Sequence, residues 1–193
     1  MNDSASDAPL TIWTIGHSTR SVQELVGLLA EVGIDLLVDI RSVPRSRTNP
    51  QFNRDALPAP LVAAGIGYHH LRSLGGLRGR RKDDPPSPNT LWRNGAFRNY
   101  ADYAASDPTF GEGLCALQAL AGARRTAVMC AEAVWWRCHR RIVTDYLLAA
   151  GISVDHILGL HHIDPAQMTP GAVPQADGAI HYPAPAAAQL SLL

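Results

Sequence analysis

Three short segments of this chain concentrate the residue types that do chemistry. They are Gly16-His17-Ser18-Thr19-Arg20, the run from Asp39 to Arg47 (D-I-R-S-V-P-R-S-R), and the run from Cys130 to Arg141 (C-A-E-A-V-W-W-R-C-H-R-R). Arg41, Arg45, Arg47 and Arg140 present planar guanidinium forks that suit phosphate or carboxylate. Arg20 and Ser18 extend the same candidate anion site. The competing use of these arginines is structural ion pairing with Asp35, Asp39 or Glu132. Cys130 ends an apolar run ahead of a helical pattern, and a thiol near a helix N-terminus and arginines has its thiolate favoured. Cys130 is therefore expected as nucleophile or redox thiol, with Glu132 and His17 as proton carriers. Asp39, Cys138, His139 and Trp136 support that set. The other reading of Cys130 is a small buried hydrophobe.

Cysteine phosphatases and sulfurtransferases use a comparable strand-end thiol. They place an Arg where this chain has Trp136, and the actual arginine, Arg137, comes one residue late. That likeness is therefore architectural rather than a motif. Cys130, Cys138 and His139 could instead ligate a metal, although their spacing matches no standard zinc signature. No cofactor is expected. Trp92, Phe97, Tyr100, Trp135 and Trp136 could stack a base beside the arginines, or pack as ordinary core aromatics. Cys115, inside an apolar helical pattern, reads as core.

These segments need a frame that brings them together. Leu10 to Ile15 and Asp35 to Ile40 are short, apolar and β-branched, as strands are. Between them Ser21 and Glu24 form a capping box, followed by Val22, Leu25, Val26, Leu29 and Val32 at helical spacing. Residues 53–66 read as a weak helix whose prolines must lie in its first turn. Gly67 to Leu71 is a third strand, and 72–95 a long loop. Residues 96–105 and 108–122 are helical, and Arg125 to Met129 is a fourth strand. A helix over 136–150 and a strand over 153–158 follow. Past Leu160 no element is legible. Strands alternating with helices predict a single three-layer α/β domain over 10–160, with a mainly parallel sheet of about five strands. Residues 161–193 form an Ala-, Pro- and His-containing tail. Ligands of such sheets bind outside the carboxyl ends of the strands, where all three segments fall.

The chain has 193 residues, 46% of them hydrophobic and 18% charged, and its formal net charge is zero. That balance hides a gradient. Residues 1–40 carry a net of −5, residues 41–98 a net of +8, and residues 99–193 a net of −3. No segment approaches the ~20 apolar residues of a membrane span. The N-terminus lacks the features of a signal peptide. Three cysteines make no disulfide framework, so a cytoplasmic setting is expected.

T-I-G-H-S-T-R at Thr14–Arg20, D-I-R-S-V-P-R-S-R at Asp39–Arg47, L-G-G at Leu74–Gly76, F-R-N-Y-A at Phe97–Ala101 and C-A-E…C-H-R at Cys130–Arg140 together resemble domain-of-unknown-function family 488. The resemblance spans about residues 11–158. It implies a compact α/β domain of bacterial and archaeal cytoplasm and no established reaction. It also implies a shared site at His17, Arg20, Asp39, Arg41, Arg45, Arg47, Cys130, Glu132, Cys138, His139 and Arg140. Three functions stay open. The first is an enzyme acting on a phosphorylated, nucleotide or nucleic-acid substrate. The second is a non-catalytic nucleic-acid module gripping phosphates through the basic segment 41–98, including the loop Leu74–Lys82. The third is a metal-dependent enzyme. The partners expected are thus an anionic small molecule or nucleic acid, with no membrane.

Overall fold

A computed structural model describes residues 10–80 and 83–185. Five strands, β1 (Thr11–Gly16), β2 (Leu36–Asp39), β3 (Gly67–His70), β4 (Thr126–Cys130) and β5 (Ser153–Gly159), form one parallel sheet in the order β3-β2-β4-β1-β5. A sixth, β6 (His162–Pro165), adds antiparallel to β5 at the edge. All of β2 and β4, and all but the first residue of β1, are buried. Both faces of these central strands are covered, which is why they read as unbroken apolar runs.

The helices divide between the two faces. Leu25, Leu28 and Leu29 of α1 (Val22–Glu31) and Leu61 of α2 (Pro58–Ala63) build one core with Ile15, Leu37 and Met129. Tyr100, Phe110 and Leu147, from α3 (Gly95–Ser106), α4 (Pro108–Ala123) and α5 (Arg140–Ala149), build the other, with Ile12, Val38 and Val128. The Ser21–Glu24 capping box is present, with Ser21 Oγ accepting from the Glu24 N–H at 3.1 Å. Pro58 takes the first position of α2, where its missing N–H costs nothing. Since β1 and β2 lead into α1 and α2 on one face and β4 into α5 on the other, the strand ends open into a crevice between them.

Three expectations differ from the structure. The last long helix starts at Arg140 rather than 136, because Trp135–Arg137 form a separate 3-10 turn and Cys138 is extended. Cys115 is exposed on α4 instead of in the core. The chain past Leu160 supplies β6 and a small hairpin, β7 (Val173–Pro174) with β8 (Ile180–His181). It also buries Ile180 and Tyr182 in the α3–α5 core. Two- and four-residue strands are too short to leave a period in the sequence.

Candidate functional site

The strand register levels the three chemical segments. Gly16 sits opposite Cys130, and Asp39 opposite Met129. The ladder then runs on past the strands. The His17 N–H donates to the Cys130 carbonyl and the Ser18 N–H to the Ala131 carbonyl, each at 2.9 Å. The Ile40 N–H donates to the Met129 carbonyl at 3.0 Å. Gly16 makes this possible, since a Cβ there would lie 1.7 Å from the Glu132 carbonyl oxygen. Gly76 serves His139 in the same way, with a Cβ position only 2.5 Å from the ring Nδ1.

At the floor lie two sulfurs. Cys130 and Cys138 are 1% and 3% exposed, and their Sγ atoms are 2.6 Å apart. His139 Nδ1 stands 3.5 Å from the Cys138 sulfur, while its Nε2 is 3.0 Å from the Ile40 carbonyl. A carbonyl only accepts, so Nε2 carries a hydrogen and Nδ1 is the atom that shares a proton with Cys138. The Arg140 backbone N–H, at the start of α5, also reaches the Cys138 sulfur at 3.5 Å.

Burial alone would raise the Cys138 thiol. The hydrogen bond from Cys130, the neighbouring His139 and the Arg140 charge outweigh it and hold Cys138 well below the usual thiol range. Cys130 is pushed well above that range, by burial first and then by Cys138 itself. The two sulfurs share one proton network, and Cys138 is the sulfur that the His139 ring and the Arg140 N–H reach. The sequence expectation named Cys130 alone as the reacting thiol; the structure sets Cys138 against it, and it is Cys138 that meets the start of α5.

A cleft of about 290 Å³ opens over the sulfurs, lined also by Phe97, Glu132, Arg137 and His139. A second hollow of about 360 Å³ adjoins it, lined by His17, Ser18 and Arg45. Arg41 and Glu132 line both. Glu132 is exposed, and its backbone carbonyl, not its carboxylate, accepts from Arg140 Nη2 at 2.7 Å.

The arginines separate into two groups. Arg41 is buried and forks onto Asp39, with Nε–Oδ1 at 2.9 Å and Nη2–Oδ2 at 2.6 Å. It also donates to the Phe52 carbonyl, while Tyr68 donates to Asp39. Arg140, 1% exposed, donates to the Glu132 carbonyl and Thr14 Oγ1. Arg20 donates to the Gly16 and Leu158 carbonyls. These three order the loops, although Arg41 also lines both hollows and the Arg140 Nε has no hydrogen-bond partner among the described residues. Arg45, Arg47 and Arg137 remain exposed, Arg45 in the second hollow and Arg137 in the cleft, while Arg47 lines neither.

His17 is also held rather than free. Its Nδ1–H donates to the Ser18 carbonyl at 2.9 Å, its Nε2 accepts from Arg41 Nη1 at 3.1 Å, and its ring stacks on Phe52. Burial, reinforced by the Arg41 charge, lowers its pKa to about 4 despite the Ser18 bond. A neutral ring with both nitrogens engaged positions Arg41 and does not shuttle protons near neutrality.

The aromatics are mostly internal. Trp92 packs on Phe97 and Tyr182, and Trp135 stacks on His156 at 4.5 Å. Tyr100 donates to the Leu74 carbonyl and meets the His139 ring edge-on. Trp136 is 46% exposed, outside the cleft lining. In the basic loop, Arg78 lies 3.7 Å over the Tyr103 ring and Arg80 donates to the Pro85 carbonyl. Arg81 and Lys82 fall outside the described residues. Among the described residues, no group of three or more His, Cys, Asp or Glu converges as a metal site, the set Cys130, Cys138 and His139 included. No described helix is long and apolar enough to cross a membrane. The sequence reading missed Arg137 as a cleft residue and the contact of His139 with the Cys138 sulfur. The adjacent Cys-His dipeptide just ahead of a helix was the available signal.

No curated protein and no solved structure matches the chain. The family model described as Domain of unknown function DUF488 matches residues 21–147. That match covers more than half of the chain and includes the capped first helix, the Asp39–Arg47 loop and both cysteines of the cleft. The chain therefore belongs to the family Domain of unknown function DUF488.

Proposed function

We propose that this protein is a thiol-dependent enzyme acting on a small phosphorylated or otherwise anionic substrate. One observation carries the reading: a Cys138 sulfur flanked by Cys130, His139 and the first N–H of α5, at the floor of a cleft. A nucleophile beside a base that is itself oriented by a third group is the signature of covalent catalysis. Here the third group is the Ile40 carbonyl. Cys138 attacks, Glu132 at the rim exchanges a proton with the leaving group, and Arg137 with Arg45 holds the anion. Arg41, His17 and Asp39 keep the walls in place. A nucleic-acid partner is less well supported, because Arg78 and Arg80 are engaged within their own loop.

The test uses the reduced protein, iodoacetamide and inorganic phosphate. Peptide mapping at neutral pH is expected to show Cys138 alkylated faster than the exposed Cys115. Phosphate should slow that reaction several-fold in the wild type and not in Arg137→Ala. p-Nitrophenyl phosphate should yield nitrophenolate with the wild type and not with Cys138→Ser. Alkylation of Cys138 no faster than Cys115, or protection by sodium chloride equal to that by phosphate, overturns the reading.

A further inference from the structure

Cys130 does more than supply a hydrogen bond to Cys138, since the two sulfurs are in direct contact. Its sulfur lies 2.6 Å from the Cys138 sulfur, and it also makes a long contact of 3.8 Å with the Glu132 carbonyl. The two cysteines end β4 and precede α5, so their backbones are anchored in separate elements while their side chains meet. A protonated thiol in contact with a thiolate is the arrangement needed to finish a thiol oxidation, since a sulfenic acid condenses with a neighbouring thiol. The pair is 1% and 3% exposed, which favours the smallest two-electron oxidants over bulky disulfides.

We propose that Cys130 is the resolving cysteine of Cys138, and that the cleft reduces a small hydroperoxide by closing a Cys130–Cys138 disulfide. The proposal rests on the Cys138 thiolate of the reading above, but not on its anionic substrate. In the first step the Cys138 thiolate attacks one peroxide oxygen. An S–O bond forms, the O–O bond breaks, and hydroxide (or alkoxide) leaves and takes a proton from a buffer acid in solution. The sulfur is oxidised by two electrons and the peroxide is reduced by two. In the second step the Cys130 sulfur attacks the Cys138 sulfur. The S–S bond forms, the S–O bond breaks, and the departing hydroxide takes the Cys130 proton to give water. Two equivalents of a small thiol then restore the dithiol and leave as their own disulfide. The closed disulfide bridges the loop that carries Glu132 and Arg137. It also removes the thiolate, so the same reaction switches off the attack on an anionic substrate.

The experiment treats reduced wild type, Cys130→Ser and Cys138→Ser with hydrogen peroxide, with dimedone to trap sulfenic acid, and maps the peptides by mass spectrometry. The wild type should form a Cys130–Cys138 disulfide at least tenfold faster than Cys115 is modified, and dithiothreitol should reverse it. Cys130→Ser should instead accumulate the dimedone adduct on Cys138. Cys138→Ser should leave Cys130 unmodified. The wild-type arm stands alone if a variant fails to fold. Dimedone labelling of Cys138 in the wild type without a disulfide, or oxidation of Cys115 as fast as the pair, overturns the proposal. Phosphate protection of Cys138 without disulfide formation would overturn this inference and leave the anionic-substrate reading standing. A disulfide without phosphate protection would do the reverse.

Discussion

At the residue scale, the arginines of the Asp39–Arg47 segment illustrate why residue type does not settle role. Arg41 and Arg45 look equivalent in sequence. Arg41 is buried on Asp39, while Arg45 is exposed to the hollow. A buried charge must be paired, because desolvation of either ion alone is costly. Asp39 is fully buried, and its carboxylate accepts from Arg41 and Tyr68. Asp39→Asn leaves Arg41 with an uncompensated charge, so a loss of about 3–5 kcal/mol is expected in urea unfolding. A change under about 1 kcal/mol would show that the pair is solvated after all.

At the element scale, the site depends on how closely β1 and the β4–α5 loop approach. That approach rests on Gly16, whose added Cβ would meet the Glu132 carbonyl and, at 2.9 Å, the Arg140 guanidinium. Gly16→Ala should therefore cost about 1–3 kcal/mol or more from overpacking against backbone. It should also displace Arg140 and reduce the thiolate absorbance of Cys138. Gly27, in the middle of α1 with nothing near its Cβ position, is the control, and Gly27→Ala is expected to stabilise by roughly 0.5–1 kcal/mol. Equal effects of the two substitutions on stability would refute the role given to Gly16. The capping box of α1 and the prolines of α2 were legible in sequence, because their signals lie within four residues of each other. The start of α5 was not. The Trp135–Arg137 turn has the composition of a helix and is separated from α5 only by the extended Cys138 and the N-cap His139.

At the scale of the whole molecule, burial of histidines sets a pH dependence. His17 and His156 each have a pKa lowered to about 4, by burial first. His156 is clamped between Thr14, which its Nδ1 meets at 2.7 Å, and the Trp135 ring. In the unfolded chain these rings take protons near pH ~6.5. Between that pH and about 4 the unfolded state binds more protons than the folded one, so their contribution is complete above pH ~6.5 and is lost as pH falls. The melting temperature should drop between pH 7 and pH 4.5, and should drop less in His156→Gln. Asp145, raised by burial, acts in the opposite sense, so the comparison with the variant identifies the histidine. Parallel curves for the two proteins would contradict the assignment. The segment past Leu160 belongs at this scale too. Tyr182 donates to Asp145, and its backbone N–H donates to Asn89 Oδ1, which ties the end of the described chain to α5 and the long loop.

The sequence by itself determined the alternation of strands and helices, the parallel sheet, and the three segments that meet at its edge. These follow from periodicity, caps and glycine positions, all of which act over a few residues. Only the tertiary structure decided which arginines are exposed, that both nitrogens of His17 are engaged, and that His139 meets Cys138. Each of those depends on partners far apart in the chain, such as Arg41 with His17 and His139 with Ile40. Charge, burial and proton sharing are properties of the assembled neighbourhood, and a one-dimensional pattern does not specify them.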